Sequence, residues 1–108
     1  MTESEFLAVA EAVLDDIESR LERAADQADV DLECSRNGNV LEIEFIDNGS
    51  KIIVNTQAPM QEIWVAARSG GFHFRLKDQQ WRDTRDGSEL FAALASLASL
   101  QAGEPLTL

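Results

Sequence analysis

The period of the apolar residues changes twice along this chain, and that constrains the fold more than any other feature. Phe6, Ala10, Val13, Ile17, Leu21 and Ala24 recur at spacings of three and four, which is one apolar face of a helix. Thr2 or Ser4 can cap its start, with acids in the first turn where the helix dipole favours them. Near Asp26 the pattern stops and the period becomes two. Val30, Leu32 and Cys34 alternate with Asp31, Glu33 and Ser35, as in a half-buried strand.

Turns and strands then follow one another. Asn37-Gly38-Asn39 suits a hairpin turn, because glycine and asparagine tolerate positive φ. Leu41, Ile43 and Phe45 alternate with Glu42 and Glu44. After Asp47-Asn48-Gly49-Ser50 comes a strand at Lys51–Asn55, and after Pro59 another at Ile63–Ala67. Ser69-Gly70-Gly71 turns the chain into Phe72, Phe74 and Leu76, which alternate with His73, Arg75 and Lys77. Trp81–Asp83 is a short candidate sixth strand. The helical period then returns: Asp86 starts a final helix with Glu89 as its capping-box partner, and Leu90, Leu94, Leu97 and Ala98 form its stripe. Gly103 ends that helix and Pro105 keeps it ended.

Helix, five or six antiparallel strands, helix is the order of an α+β two-layer sandwich. Both terminal helices must pack on one face of the sheet if each is to bury its stripe, which leaves the other face open. With 108 residues, the chain is expected to form a single domain over 1–108. Its lone cysteine, Cys34, allows no internal disulfide, which fits a reducing compartment. No apolar run approaches the ~20 residues of a membrane span. Met1-Thr2-Glu3-Ser4-Glu5 lacks the positive start of a signal peptide, so a cytoplasmic protein is expected.

Charge is distributed unevenly. Met1–Glu33 holds eleven acids against Arg20 and Arg23, and so carries nine of the eleven net negative charges. Such a field attracts cations or a basic partner surface, and it excludes binding to nucleic acid or anionic membrane through phosphates. Glu11, Asp15, Glu18 and Glu22 form one stripe beside the apolar face of the first helix, where like charges four apart cost a few tenths of a kcal/mol. Asp26, Asp29, Asp31 and Glu33 continue it into the first strand. Two readings of the stripe stand: a solvated face that aids solubility, or an oxygen-only site for hard cations such as Mg²⁺, Ca²⁺, Mn²⁺ or iron. No thiol or imidazole cluster suits zinc. An EF-hand fails because position six is Cys34 and position twelve is Val40.

The second unusual stretch is Asn55 to Trp64. If Ile63 and Val65 face the core, Trp64 faces the open side of the sheet, flanked by Asn55 and Gln57 as a partner surface. The competing reading packs Trp64 in the core or shields it with an arginine. His73 suits an incidental surface residue, and Cys34 a small core residue. No nucleophilic triad and no glycine-rich phosphate loop is present.

Together these residues resemble the frataxins, and in particular their bacterial branch. The likeness rests on Ser4-Glu5-Phe6, on Asn48-Gly49-Ser50-Lys51-Ile52-Ile53-Val54-Asn55, and on Asn55, Gln57, Pro59, Ile63 and Trp64 as an N-x-Q-x-P-x-x-x-I-W signature. Gly70-Gly71-Phe72-His73-Phe74, Asp86-Gly87-Ser88 and Gln101-Ala102-Gly103-Glu104 complete it. The resemblance implies an iron-binding accessory protein of iron–sulfur cluster assembly, not an enzyme. It implies weak Fe²⁺ and Fe³⁺ binding on an acidic ridge, with Glu11, Asp15, Glu18, Glu22, Asp26, Asp29, Asp31 and Glu33 as its members here. It also implies docking on a cysteine desulfurase and its scaffold protein, with Glu18, Glu22, Asn55, Gln57 and Trp64 as contacts. A monomer is expected, with iron-driven oligomers the alternative. Ser19 and Arg23 stand where the bacterial pattern often has acids, and Glu62 where eukaryotic members carry glutamine. The competing functions are a ferroxidase or iron store, and an acidic DNA mimic.

Overall fold

The computed structural model describes every residue from Met1 to Leu108. Helix α1 spans Glu3–Gln27. Six strands follow: β1 Leu32–Asn37, β2 Val40–Phe45, β3 Ser50–Gln57, β4 Glu62–Ala67, β5 Gly70–Lys77 and β6 Gln80–Asp83. Helix α2 spans Leu90–Ala102. The strands form one antiparallel meander in the order β1-β2-β3-β4-β5-β6. The α+β sandwich expected from the periodicity is present, with six strands.

Thr2 caps α1 with a full capping box. Its hydroxyl accepts from the Glu5 N–H at 3.1 Å, and the Glu5 carboxylate accepts from the Thr2 N–H at 2.8 Å. The buried face of α1 is Phe6, Ala10, Leu14, Ile17, Leu21, Ala24 and Ala25. Leu14 thus takes the deep position expected of Val13, which is only half-buried. A residue one place along differs by about 100° of helix rotation, and a spacing rule cannot decide between two adjacent apolar residues.

Leu41, Ile43, Phe45, Ile52, Val54, Ile63, Val65 and Phe74 complete the core from the sheet, and Leu90, Leu94 and Ala98 from α2. Trp81 of β6 meets Phe6 edge-on at 6.1 Å between ring centroids. Each valine, leucine, isoleucine and phenylalanine among these contributes about 1.5–3 kcal/mol of transfer free energy when fully buried.

The start of α2 differs from expectation. The helix begins at Leu90, and Glu89 is its N-cap, accepting from the backbone N–H groups of Phe91 and Ala92. Asp86 instead closes a local turn on the Ser88 N–H. Glu89 wins the cap because its backbone pairs with Arg82, which holds it extended. At the other end Gly103, at φ 71°, takes the left-handed conformation that stops the helix. Gln101 is buried there. Its amide donates to Ser50 Oγ and the Lys51 carbonyl, and its oxygen accepts from the Arg68 N–H, tying α2 across β3 and the end of β4.

Candidate functional site

Two surfaces carry the sequence-predicted residues. The first is the acidic ridge. Glu11, Asp15, Glu22 and Asp26 are exposed on α1, and Glu18 is half-buried. Asp29 lies in the turn after α1, at φ 56°. Asp31 and Glu33 are exposed at the start of the sheet's edge strand.

Two acids of α1 act on β1 across the gap between the two elements. The Cys34 thiol is pushed up to about 12, first by burial and then by the charges of Glu22 and Glu18. Two arginines pair with acids of α1, and only the second touches the ridge. Arg20 pairs with Asp16 at 3.0 Å, and Arg36 of β1 pairs with Asp15 at 2.6 Å and stands 3.8 Å from Glu18. No three carboxylate, thiol or imidazole groups converge closely enough to hold a metal ion among them. The donor set is nevertheless all oxygen, which suits hard cations. Such a cation would take one or two carboxylates and keep water elsewhere in its shell.

The second surface is the uncovered face of the sheet. Register places Asn55 opposite Trp64, and Trp64 opposite His73. The next row runs Gln57, Glu62, Arg75, Arg82. Trp64 stands on this face, as its alternation with Ile63 and Val65 indicates. It is half-buried because its indole stacks on the His73 ring, with centroids 4.3 Å apart and planes 6° from parallel. The shield is therefore a histidine rather than an arginine. His73, expected to be incidental, is part of the surface. Gln57 donates to Asn55 Oδ1 at 2.6 Å, so these two side chains orient each other.

Glu62 is the residue that sequence reasoning placed least well. It lies on the uncovered face yet is 4% exposed. Trp64 Nε1 donates to one carboxylate oxygen at 2.8 Å, and Arg75 Nη2 to the other at 2.7 Å. His73 Nδ1 stands 3.7 Å away. The indole N–H above all, then the Arg75 guanidinium, hold this carboxyl below the usual range, against the burial that pushes it upward. Arg36 and Arg75 were also missed as members of these surfaces. The only available signal was the placement of an arginine at an alternating position.

Comparison with known proteins shows what the whole chain is similar to. A family model described as a frataxin-like domain matches residues 1–104. The chain is 68% identical over 108 residues to the iron-sulfur cluster assembly protein CyaY of Janthinobacterium sp. (strain Marseille), covering all of this chain and 96% of the relative. Frataxin from Psychromonas ingrahamii superposes with a TM-score of 0.81 at 29% identity, over 99% of this chain and 97% of that one. A ferrous complex of trimeric frataxin from the yeast Saccharomyces cerevisiae superposes at 0.74 with 25% identity, over 88% and 86% of the two chains.

Proposed function

This chain belongs to the bacterial branch of the frataxin family, and on that premise we propose that it serves iron–sulfur cluster assembly as an iron-binding accessory protein in the cytoplasm. Its cargo is Fe²⁺ or Fe³⁺, held weakly on Glu11, Asp15, Glu18, Glu22, Asp26, Asp29, Asp31 and Glu33. The carrying observation is the run of carboxylates from α1 into β1, all but Glu18 exposed, on a protein that carries nine of its eleven net negative charges over Met1–Glu33. The same field steers a basic patch on a cysteine desulfurase, which makes association fast and salt-sensitive. Asn55, Gln57 and Trp64 supply a separate contact for the cluster scaffold. The relative from Janthinobacterium is named for cluster assembly and the yeast structure for its ferrous complex, and both support this reading.

The ferroxidase reading is disfavoured by the inward face of α1. Two bridged irons need carboxylates that project into a closed site, and the buried residues of α1 are all apolar. The DNA-mimic reading leaves the Asn55–Gln57–Trp64 face without a role.

Anaerobic titration with Fe²⁺, followed by NMR, tests the cargo assignment. Signals of residues 11–33 broaden first if it holds. Equal broadening over Arg75–Trp81 overturns it. Pull-down of the desulfurase at low and high salt tests the partner, and a salt-insensitive complex would contradict steering by the ridge.

A further inference from the structure

The far edge of the sheet carries the opposite charge. Arg75 of β5 lies directly opposite Arg82 of β6, and Lys77 follows two residues along β5, opposite Gln80. Alternation with the buried Phe74 and Trp81 puts all four side chains on the uncovered face. Like charges that face each other across neighbouring strands destabilise a sheet. Arg75 has an acidic partner, Glu62 at 2.7 Å, yet its side chain is still 60% exposed. Neither Lys77 nor Arg82 forms an ion pair. Arg82 is held instead by neutral acceptors: its Nη1 donates to the Gly87 carbonyl at 3.2 Å and its Nη2 to Gln80 Oε1. The guanidinium is thus oriented without being neutralised. The three cations line one cleft of about 690 Å³, with Gln80 and Thr84 as further hydrogen-bonding groups. Two acids also border it. Asp83 is 6% exposed and turns its carboxylate to the Arg85 N–H at 2.7 Å, so Asp78, in the turn between β5 and β6, is the one exposed acid there.

We propose that this cleft is an anion site, which takes a small ligand with two or more negative charges on phosphate or carboxylate groups. Guanidinium groups bind both kinds of group through paired N–H···O bonds, and Lys77 adds a third positive charge. An anion between Arg75 and Arg82 removes the repulsion that their strand pairing otherwise imposes. One negative charge offsets too little of it, which selects for polyvalent ligands. The volume is that of a small-molecule site rather than an extended protein interface. Strands β5 and β6 lie at the opposite end of the sheet from β1, so occupation of the cleft does not depend on the acidic ridge.

Pyrophosphate, citrate and acetate, each added to the full chain at matched ionic strength, are the probes, read by NMR through backbone and guanidinium N–H signals. Pyrophosphate or citrate should shift Gln80, Arg82 and Gly87, and the tighter of the two identifies the preferred group. Acetate should bind about tenfold more weakly, the scale of one lost charge-assisted hydrogen bond. Arg82→Gln should weaken the polyanion by about tenfold for the same reason. Lys77→Gln, at an exposed position, should weaken it in the same direction. Arg68→Gln removes the same charge from the turn between β4 and β5 and should leave the affinity unchanged. Absence of a shift with both pyrophosphate and citrate overturns the proposal whether or not the variants fold. Equal weakening by Arg68→Gln and Lys77→Gln also overturns it, because the effect is then general screening. If an oligoglutamate peptide alone moves these signals, the cleft takes an acidic protein segment, and the small-ligand assignment is overturned.

Discussion

The indole of Trp64 donates its N–H to Glu62 two residues earlier on the same strand, at 2.8 Å, and so holds a 4% exposed carboxylate on the side of the sheet that no helix covers. An ionised group that deep in a surface needs both oxygens satisfied, and Arg75 supplies the second bond. The aromatic face is thus fixed by an ionic pin beneath it.

Trp64→Ala should therefore cost about 1–3 kcal/mol, the penalty of leaving a buried acceptor short of a donor. Trp64→Phe, which keeps a ring but not the N–H, should lose most of the same amount. Denaturant melts of the two variants decide it. If Trp64→Phe is as stable as the parent, the hydrogen bond to Glu62 contributes nothing.

The pH dependence of stability follows from the same carboxyl. Its folded pKa lies below that of an ordinary glutamate, so the fold favours the ionised form. That contribution is fully present above the unfolded pKa and is lost as pH falls through the folded value. Glu62→Gln should be less stable than the parent at pH 7, and the difference should shrink on acidification below about pH 4.5. Urea midpoints at pH 7 and pH 3.5 measure it. A constant difference would show that Glu62 is not held ionised.

Glu22 and Asp26 lie four apart on α1, and neither forms an ion pair. Converting both to Gln and Asn should stabilise the metal-free protein by about 0.2–0.5 kcal/mol, through relief of like-charge repulsion. It should also reduce the rise in melting temperature that a hard cation produces by binding the folded state. Thermal melts with and without calcium provide the check. A melting shift that survives the double substitution would remove these two residues from the ligand set.

Cys34 reports on the ridge from inside. With its thiol pushed up to about 12, its thiolate population at pH 8 is far below that of a free cysteine. Iodoacetamide should label the native protein far more slowly than the urea-unfolded chain. Replacing Glu18 and Glu22 with glutamine should speed native labelling, since their charges add to the effect of burial. Equal native rates in parent and double variant would mean that burial alone protects the thiol.

The alternation of periods, the Gly38 and Gly49 turns and the Gly103 stop were all legible in the chain, because each depends on residues within a few positions of one another. So was the two-layer arrangement, since two one-sided helices can bury their stripes only on a shared sheet face. The eight ridge acids could be named from their spacing and from family resemblance, but their pairing state could not. Arg36 reaches Asp15 across 21 residues, and Arg75 reaches Glu62 across 13. Gln101 binds the backbone at Lys51 and Arg68. Each of these bonds depends on strand register and on the distance between layers, which follow from packing the whole core. A charged side chain is stable in a buried position only where that packing delivers its partner, so the tertiary structure alone decided that Glu62 is buried and Arg36 is bound.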